Sequence, residues 1–183
     1  MPTDTIYGIV GSALKKKTVE RIYELRRRNS QKPMIILIGS MADLKKFGVK
    51  IGVQERKILN RIWPRLRQGY GGQAGKVSVI LPCKSKKFSY LHRGTKSIAF
   101  RLPKPRWLKE LLANTGPLVA PSANWEGETP ARTIKEAKKY FGVKVDFYFD
   151  AGRRVSKPST LLTIKDGGLK VLRKGAARVR SGA

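Results

Sequence analysis

Pro117-Leu118-Val119-Ala120-Pro121-Ser122-Ala123-Asn124 is a short apolar run that ends in a hydroxyl and an amide. Leu118, Val119 and Ala120 suit a buried strand, and Pro121 takes the chain out of the pleat. Upstream, Leu108, Leu111 and Leu112 recur at helical spacing before Gly116, a residue type that stops helices. Downstream, Thr133-Ile134-Lys135-Glu136 sets a threonine hydroxyl three residues before a glutamate, where the pair satisfies the free amides of a first turn. Gly142 would end that helix. A strand held between two helices predicts an α/β fold, with Ser122 and Asn124 at a strand end, where ligands of open α/β sheets collect. Hydrogen bonding to phosphate oxygens and ordinary turn chemistry use such side chains equally well.

The alternation extends outward. Runs at 34–38, 77–81, 98–102, 147–149, 160–164 and 169–172 read as further strands. Val19, Ile22 and Tyr23 line one face of a first helix, and Ile58, Leu59 and Ile62 line another. Strands and helices alternate through the first two thirds, and the last third is mostly β. We expect a single α/β domain over residues 1–183, on a twisted, mostly mixed sheet flanked by helices. Residues 65–74 are rich in Gly, Gln and Arg and read as an inserted flexible loop. They do not form a P-loop, because Tyr70 stands where a glycine is needed and Val77 where Ser or Thr is needed around Gly75-Lys76.

Charge narrows the partners. Against 12 Asp and Glu stand 40 Lys and Arg, a formal net charge of +28. Any one basic cluster reads as a solvated face, but basic groups recur along the whole chain. Such a field draws nucleic acid or polyphosphate, and it would also draw an acidic membrane surface. The single cysteine, Cys83, forms no internal disulfide, and the N-terminus has no long apolar run. We therefore expect a cytoplasmic protein with no membrane span.

One histidine and one cysteine are too few for a zinc site built from Cys and His. A couple of Cys83 with His92 is disfavoured, since Cys83 ends an apolar strand and His92 lies in a basic stretch. What remains are hydroxyls, amides and guanidiniums. Thr3-Asp4-Thr5-Ile6-Tyr7-Gly8 suits a zwitterionic ligand or a strand-end turn. Arg26-Arg27-Arg28 closes the first helix and, with Lys32, either complements its dipole or clamps a triphosphate through bidentate bonds.

Set in order, these pieces resemble the YrdC-like family. The resemblance rests on Pro2-Thr3-Asp4-Thr5-Ile6-Tyr7-Gly8, on Ile22-Tyr23 leading to Arg26-Arg27-Arg28, and on Lys32-Pro33-Met34-Ile35-Ile36. It continues through Trp63-Pro64, Ile98-Ala99-Phe100-Arg101-Leu102-Pro103 and Ala120-Pro121-Ser122-Ala123-Asn124, and closes with Ser159-Thr160 and Val171-Leu172-Arg173-Lys174-Gly175. It implies a basic concave cavity and a threonylcarbamoyl-AMP synthase, a nucleotidyltransferase using threonine, bicarbonate and ATP for tRNA modification. By the same resemblance Thr3, Arg101 and Ser159 would hold threonine. Arg26, Arg28, Lys32, Ser97, Ser122, Asn124 and Arg173 would contact ATP, with Arg26, Arg28, Ser122 and Asn124 nearest the chemistry and Tyr7 lining the cavity. The resemblance further implies that ATP would be a substrate carrying magnesium, with no tightly bound cofactor and no protein metal cage. The product would pass to a tRNA threonylcarbamoyl-transferase.

The chain departs from the family pattern in three places. The usual Lys-x-Arg reads Arg26-Arg27-Arg28; residues 65–74 split the Trp-Pro-Gly segment; and the sequence begins almost at Pro2, without the usual first strand. The length fits the short, single-domain branch. Two other readings remain open: a basic module of this fold that binds double-stranded RNA or tRNA without synthase activity, and a carbamoyl-transfer domain like that of hydrogenase maturation proteins.

Overall fold

Ile36 pairs with Phe100 in parallel register on one side and with Val119 in antiparallel register on the other. This junction lies inside a seven-stranded sheet, in a computed structural model that describes residues 1–63, 75–165 and 167–179. The chain runs β1 (Gly11–Ser12), α1 (Lys16–Leu25), β2 (Ile36–Leu37), a 3-10 turn (Met41–Phe47), α2 (Val53–Ile62) and β3 (Val77–Pro82). A second 3-10 turn (Lys86–Phe88) enters α3 (Ser89–His92), followed by β4 (Ser97–Arg101), α4 (Arg106–Thr115), β5 (Leu118–Val119), α5 (Ile134–Phe141), β6 (Thr160–Lys165) and β7 (Gly168–Arg173). In space the strand order is β1-β5-β2-β4-β3-β6-β7. β2 with β4 and β3 with β6 are parallel, and every other neighbouring pair is antiparallel. The fold is therefore α/β on a mixed sheet, as the alternation implied.

Local chemistry explains the main elements. α1 buries Val19, Ile22 and Tyr23, the apolar stripe of its sequence. α5 starts where Thr133 Oγ1 accepts the Glu136 amide at 3.2 Å, and the Glu136 carboxylate accepts the Arg132 amide at 2.7 Å. α4 stops at Gly116, whose φ of 77° suits a residue without Cβ. α2 delivers Trp63 to the core, where its indole N–H donates to the Val77 carbonyl at 3.1 Å.

Three expectations need correction or limits. Residues 147–149 are not a strand: Phe147 and Phe149 are 76% and 53% exposed, and Phe149 stacks on Trp107 with ring centroids 6.2 Å apart. Flanking Asp146 and Asp150 disfavour a strand, and the loop that follows is tied instead to the Tyr7 hydroxyl. Only Ile36–Leu37 of 34–38 joins the sheet as a named strand. The expected loop at 65–74, with Pro64, lies outside the described residues.

Candidate functional site

The pleat of β4 builds the floor of the site. Ile98 and Phe100 enter the hydrophobic core, while Ser97, Ala99 and Arg101 face a cavity of about 370 Å³ on the other side of the sheet. Ile80 lies opposite Ala99, and in the neighbouring strands Leu161 lies between Ser78 and Arg173, so Ile80, Leu161 and Arg173 extend the same surface. The walls come from the ends of other elements: Thr3 and Thr5 from the N-terminal turn, Arg26 and Arg28 after α1, Ser122 after β5, and Ser159 before β6.

Of the expected residues, Thr3, Tyr7, Arg26, Arg28, Ser97, Arg101, Ser122, Ser159 and Arg173 line this one cavity. Lys32 does not line it; its ammonium is 2.8 Å from Glu126 Oε1, on the outer side of the turn. Asn124 stands behind the wall, where its Oδ1 accepts from Arg26 and its amide group donates to the carbonyls of Trp125 and Glu128. Both donors of that amide are committed to backbone.

Arg26 is 3% exposed. Burial pushes its guanidinium down to about 10, and the charge of neighbouring Arg28 acts in the same direction. Its Nη1 is buried and has no hydrogen-bond partner among the described residues. Arg28 is fixed by donation from Nε to the Lys32 carbonyl and from Nη2 to the Pro33 carbonyl, both at 3.1 Å. Arg173 Nη2 donates to the Ser159 carbonyl at 2.9 Å, which ties β7 to the wall.

The N-terminal turn closes on itself, Thr3 Oγ1 donating to the Ile6 carbonyl at 2.7 Å. Behind it lies a residue that the sequence reading left without a role. Asp4 is an ion-pair partner of Arg101, Oδ1 to Nη2 at 3.1 Å, with side chains 3% and 4% exposed. The approach is off the N–H direction, so neither carboxylate oxygen has a hydrogen bond among the described residues. Burial raises the Asp4 carboxyl above its ordinary range despite the opposing charges of Arg101 and Lys76. Burial and the charge of Arg173 press the Arg101 guanidinium down, against the pull of Asp4.

Two supporting hydroxyls, those of Ser78 and Thr160, were given no role by the sequence reading. Ser78 and Ser159 are buried with their Oγ atoms 2.8 Å apart, and Thr160 Oγ1 receives the Gly175 and Ala177 amides, both at 3.1 Å. No contiguous sequence signal exposes these partners, because each contact closes only when distant strands meet. Among the described residues no group of three His, Cys, Asp or Glu side chains gathers as a metal site, and no helix is long and apolar enough to cross a membrane.

Comparison with known proteins places this geometry. Residues 1–175 match the family model for Sua5, YciO and YrdC, described as "Telomere recombination". A putative threonylcarbamoyl-AMP synthase of Methanocaldococcus jannaschii is 29% identical over 179 residues, 97% of this chain and 79% of that protein. The threonylcarbamoyl-AMP synthase of Bacillus subtilis is 27% identical over 95% of this chain and 48% of its own length. The crystal structure of Pyrococcus abyssi Sua5 complexed with L-threonine superposes with a TM-score of 0.80 at 27% identity, covering 95% of this chain and 49% of that one. The chain thus spans about half the length of the Bacillus and Pyrococcus proteins and most of the Methanocaldococcus one.

Proposed function

This chain belongs to the Sua5, YciO and YrdC family, and from that premise we propose that it is a threonylcarbamoyl-AMP synthase acting on L-threonine, bicarbonate and ATP. Threonine's amine takes up carbon dioxide or bicarbonate as a carbamate. A carbamate oxygen then attacks the α-phosphorus, the bond to the β-phosphate bridge breaks, and pyrophosphate leaves with the electron pair. Both reactants are anions, so the chemistry asks for fixed cationic charge more than for a strong base. Arg26, Arg28 and Arg173 would take the phosphates, Ser97 and Ser122 would add hydroxyl contacts, and Thr3, Arg101 and Ser159 would form the amino-acid end.

The observation that carries this reading is the convergence on one cavity of four arginines with hydroxyl side chains that include those of Thr3, Ser97, Ser122 and Ser159. It supports the reading because these residues come from stretches far apart in sequence. Magnesium would enter on the nucleotide, where it screens the phosphates. The product would go to a tRNA threonylcarbamoyl-transferase in the cytoplasm.

A second reading, a basic RNA- or tRNA-binding module without synthase activity, draws on the formal charge of +28. The two separate on one experiment: incubation with ATP, bicarbonate and isotopically labelled threonine, followed by mass spectrometry. The synthase reading expects a labelled threonylcarbamoyl-adenylate. Its absence from a protein that binds RNA would favour the module.

A further inference from the structure

Four arginines line the cavity, yet they are not equivalent. Arg26, Arg28 and Arg173 have no carboxylate within ion-pair distance among the described residues, whereas Arg101 has Asp4 at 3.1 Å. Asp4 does not itself line the cavity. It packs behind Arg101, so a bound substrate meets the guanidinium and not the carboxylate. The other end of the fork is also held, Arg101 Nη1 donating to Thr5 Oγ1 at 3.2 Å. Arg101 Nε is buried without a partner among the described residues, so the guanidinium meets the cavity through its terminal nitrogens.

Electrostatics gives this difference a consequence. A substrate pair of a triphosphate and an amino acid presents several negative charges to four cations, and the more highly charged anion would otherwise claim them all. A carboxylate fixed behind one guanidinium cancels its field at a distance and leaves its directional donors intact. A polyphosphate gains little there, while a carboxylate that meets the cavity-facing end of the guanidinium still gains a charge-assisted bond.

We propose that Asp4 is the residue that divides the cavity between its two substrates. It neutralises and positions Arg101 so that the polyphosphate settles on Arg26, Arg28 and Arg173 and the amino-acid carboxylate alone takes Arg101. This rests on the synthase reading above. An ion pair that only stabilised the fold would leave competition between the substrates unchanged.

The test is calorimetric titration of L-threonine into the full chain with and without tripolyphosphate at constant ionic strength. In the unaltered protein tripolyphosphate should change the threonine Kd less than about twofold, whereas in Asp4→Asn it should raise that Kd about tenfold or more, as an unmasked guanidinium begins to take phosphate. Asp4→Glu, which keeps the charge, should restore the insensitivity. Equal insensitivity in Asp4→Asn, or competition already present in the unaltered protein, would overturn the proposal. Failure of threonine to bind at all while ATP binds would strike the synthase reading instead. Should Asp4→Asn not fold, the same competition titration in the unaltered protein and in Asp4→Glu still decides: a rise of about tenfold in the threonine Kd with tripolyphosphate in either would contradict the proposal.

Discussion

Arg26 holds Ser122 twice, through Nε to its carbonyl at 2.8 Å and through Nη2 to its hydroxyl at 3.2 Å. The same two nitrogens reach Asn124, at 3.1 Å to its carbonyl and 3.3 Å to its side-chain oxygen. One guanidinium thereby joins the end of α1 to the turn after β5, two walls of the cavity. A planar fork does this with Nη1 still free, and a lysine ammonium, a compact point charge, has no equivalent geometry. The arginine that departs from the family's lysine is therefore built into the site.

Arg26→Lys should keep the charge and lose this bracing. We expect nucleotide binding to weaken by about 1–3 kcal/mol, the cost of charged hydrogen bonds lost from a buried group. Calorimetric titration with ATP checks it, and an unchanged Kd would show that the bracing is dispensable.

Tyr7, which lines the cavity, tethers the loop at 150–152. Its hydroxyl donates to the Gly152 carbonyl at 2.7 Å or to Asp150 Oδ1 at 3.1 Å and accepts the Ala151 amide at 2.9 Å. Tyr7→Phe should lower stability by about 1–2 kcal/mol. Faster hydrogen exchange should be confined to residues near Ala151 and Gly152; uniform acceleration across the sheet would contradict a local tether.

Ser78→Ala removes the buried hydroxyl that meets Ser159 on the cavity side of the sheet. Leaving that buried hydroxyl with one partner fewer should cost about 1–2 kcal/mol in chemical denaturation. Threonine affinity should fall with it, since Ser159 faces the cavity.

Glu126 links stability to pH. Its carboxyl lies below the ordinary range because Lys32 and then the Asn29 amide hydrogen-bond it. A depressed carboxyl contributes stability above its unfolded value, near 4.5, and loses it as pH falls through the lower folded value. Glu126→Gln should therefore be less stable than the parent at pH 7, by less than about 1 kcal/mol for so exposed a pair. Denaturation midpoints should converge as pH falls below the unfolded value, and a gap that did not narrow with acidification would refute the assignment.

Much of the fold was legible because its signals are local. The alternation of 97–101 separates core from cavity within five residues, and the Thr133 cap and the Gly116 stop act within single turns. The nine cavity-lining residues that the motifs suggested do come together, since each motif sits at an element's end. The misses share a cause. Lys32 was expected at the phosphates, but Glu126, 94 residues away, draws it outward. Asp4 carries no local mark that distinguishes a buried counter-ion from a turn residue, and only the packing of β4 against the N-terminal turn supplies its partner. The aromatic run at 147–149 has the composition of a strand but pairs with no neighbouring strand.

The most direct test of the account is pyrophosphate release from ATP with bicarbonate present, measured with and without L-threonine in the unaltered protein and in Arg101→Ala. Release that requires threonine, and whose half-saturating threonine concentration rises about tenfold or more in Arg101→Ala while ATP dependence is kept, is the expected result. Pyrophosphate release indifferent to threonine, or an Arg101→Ala protein with unaltered threonine dependence, would contradict it.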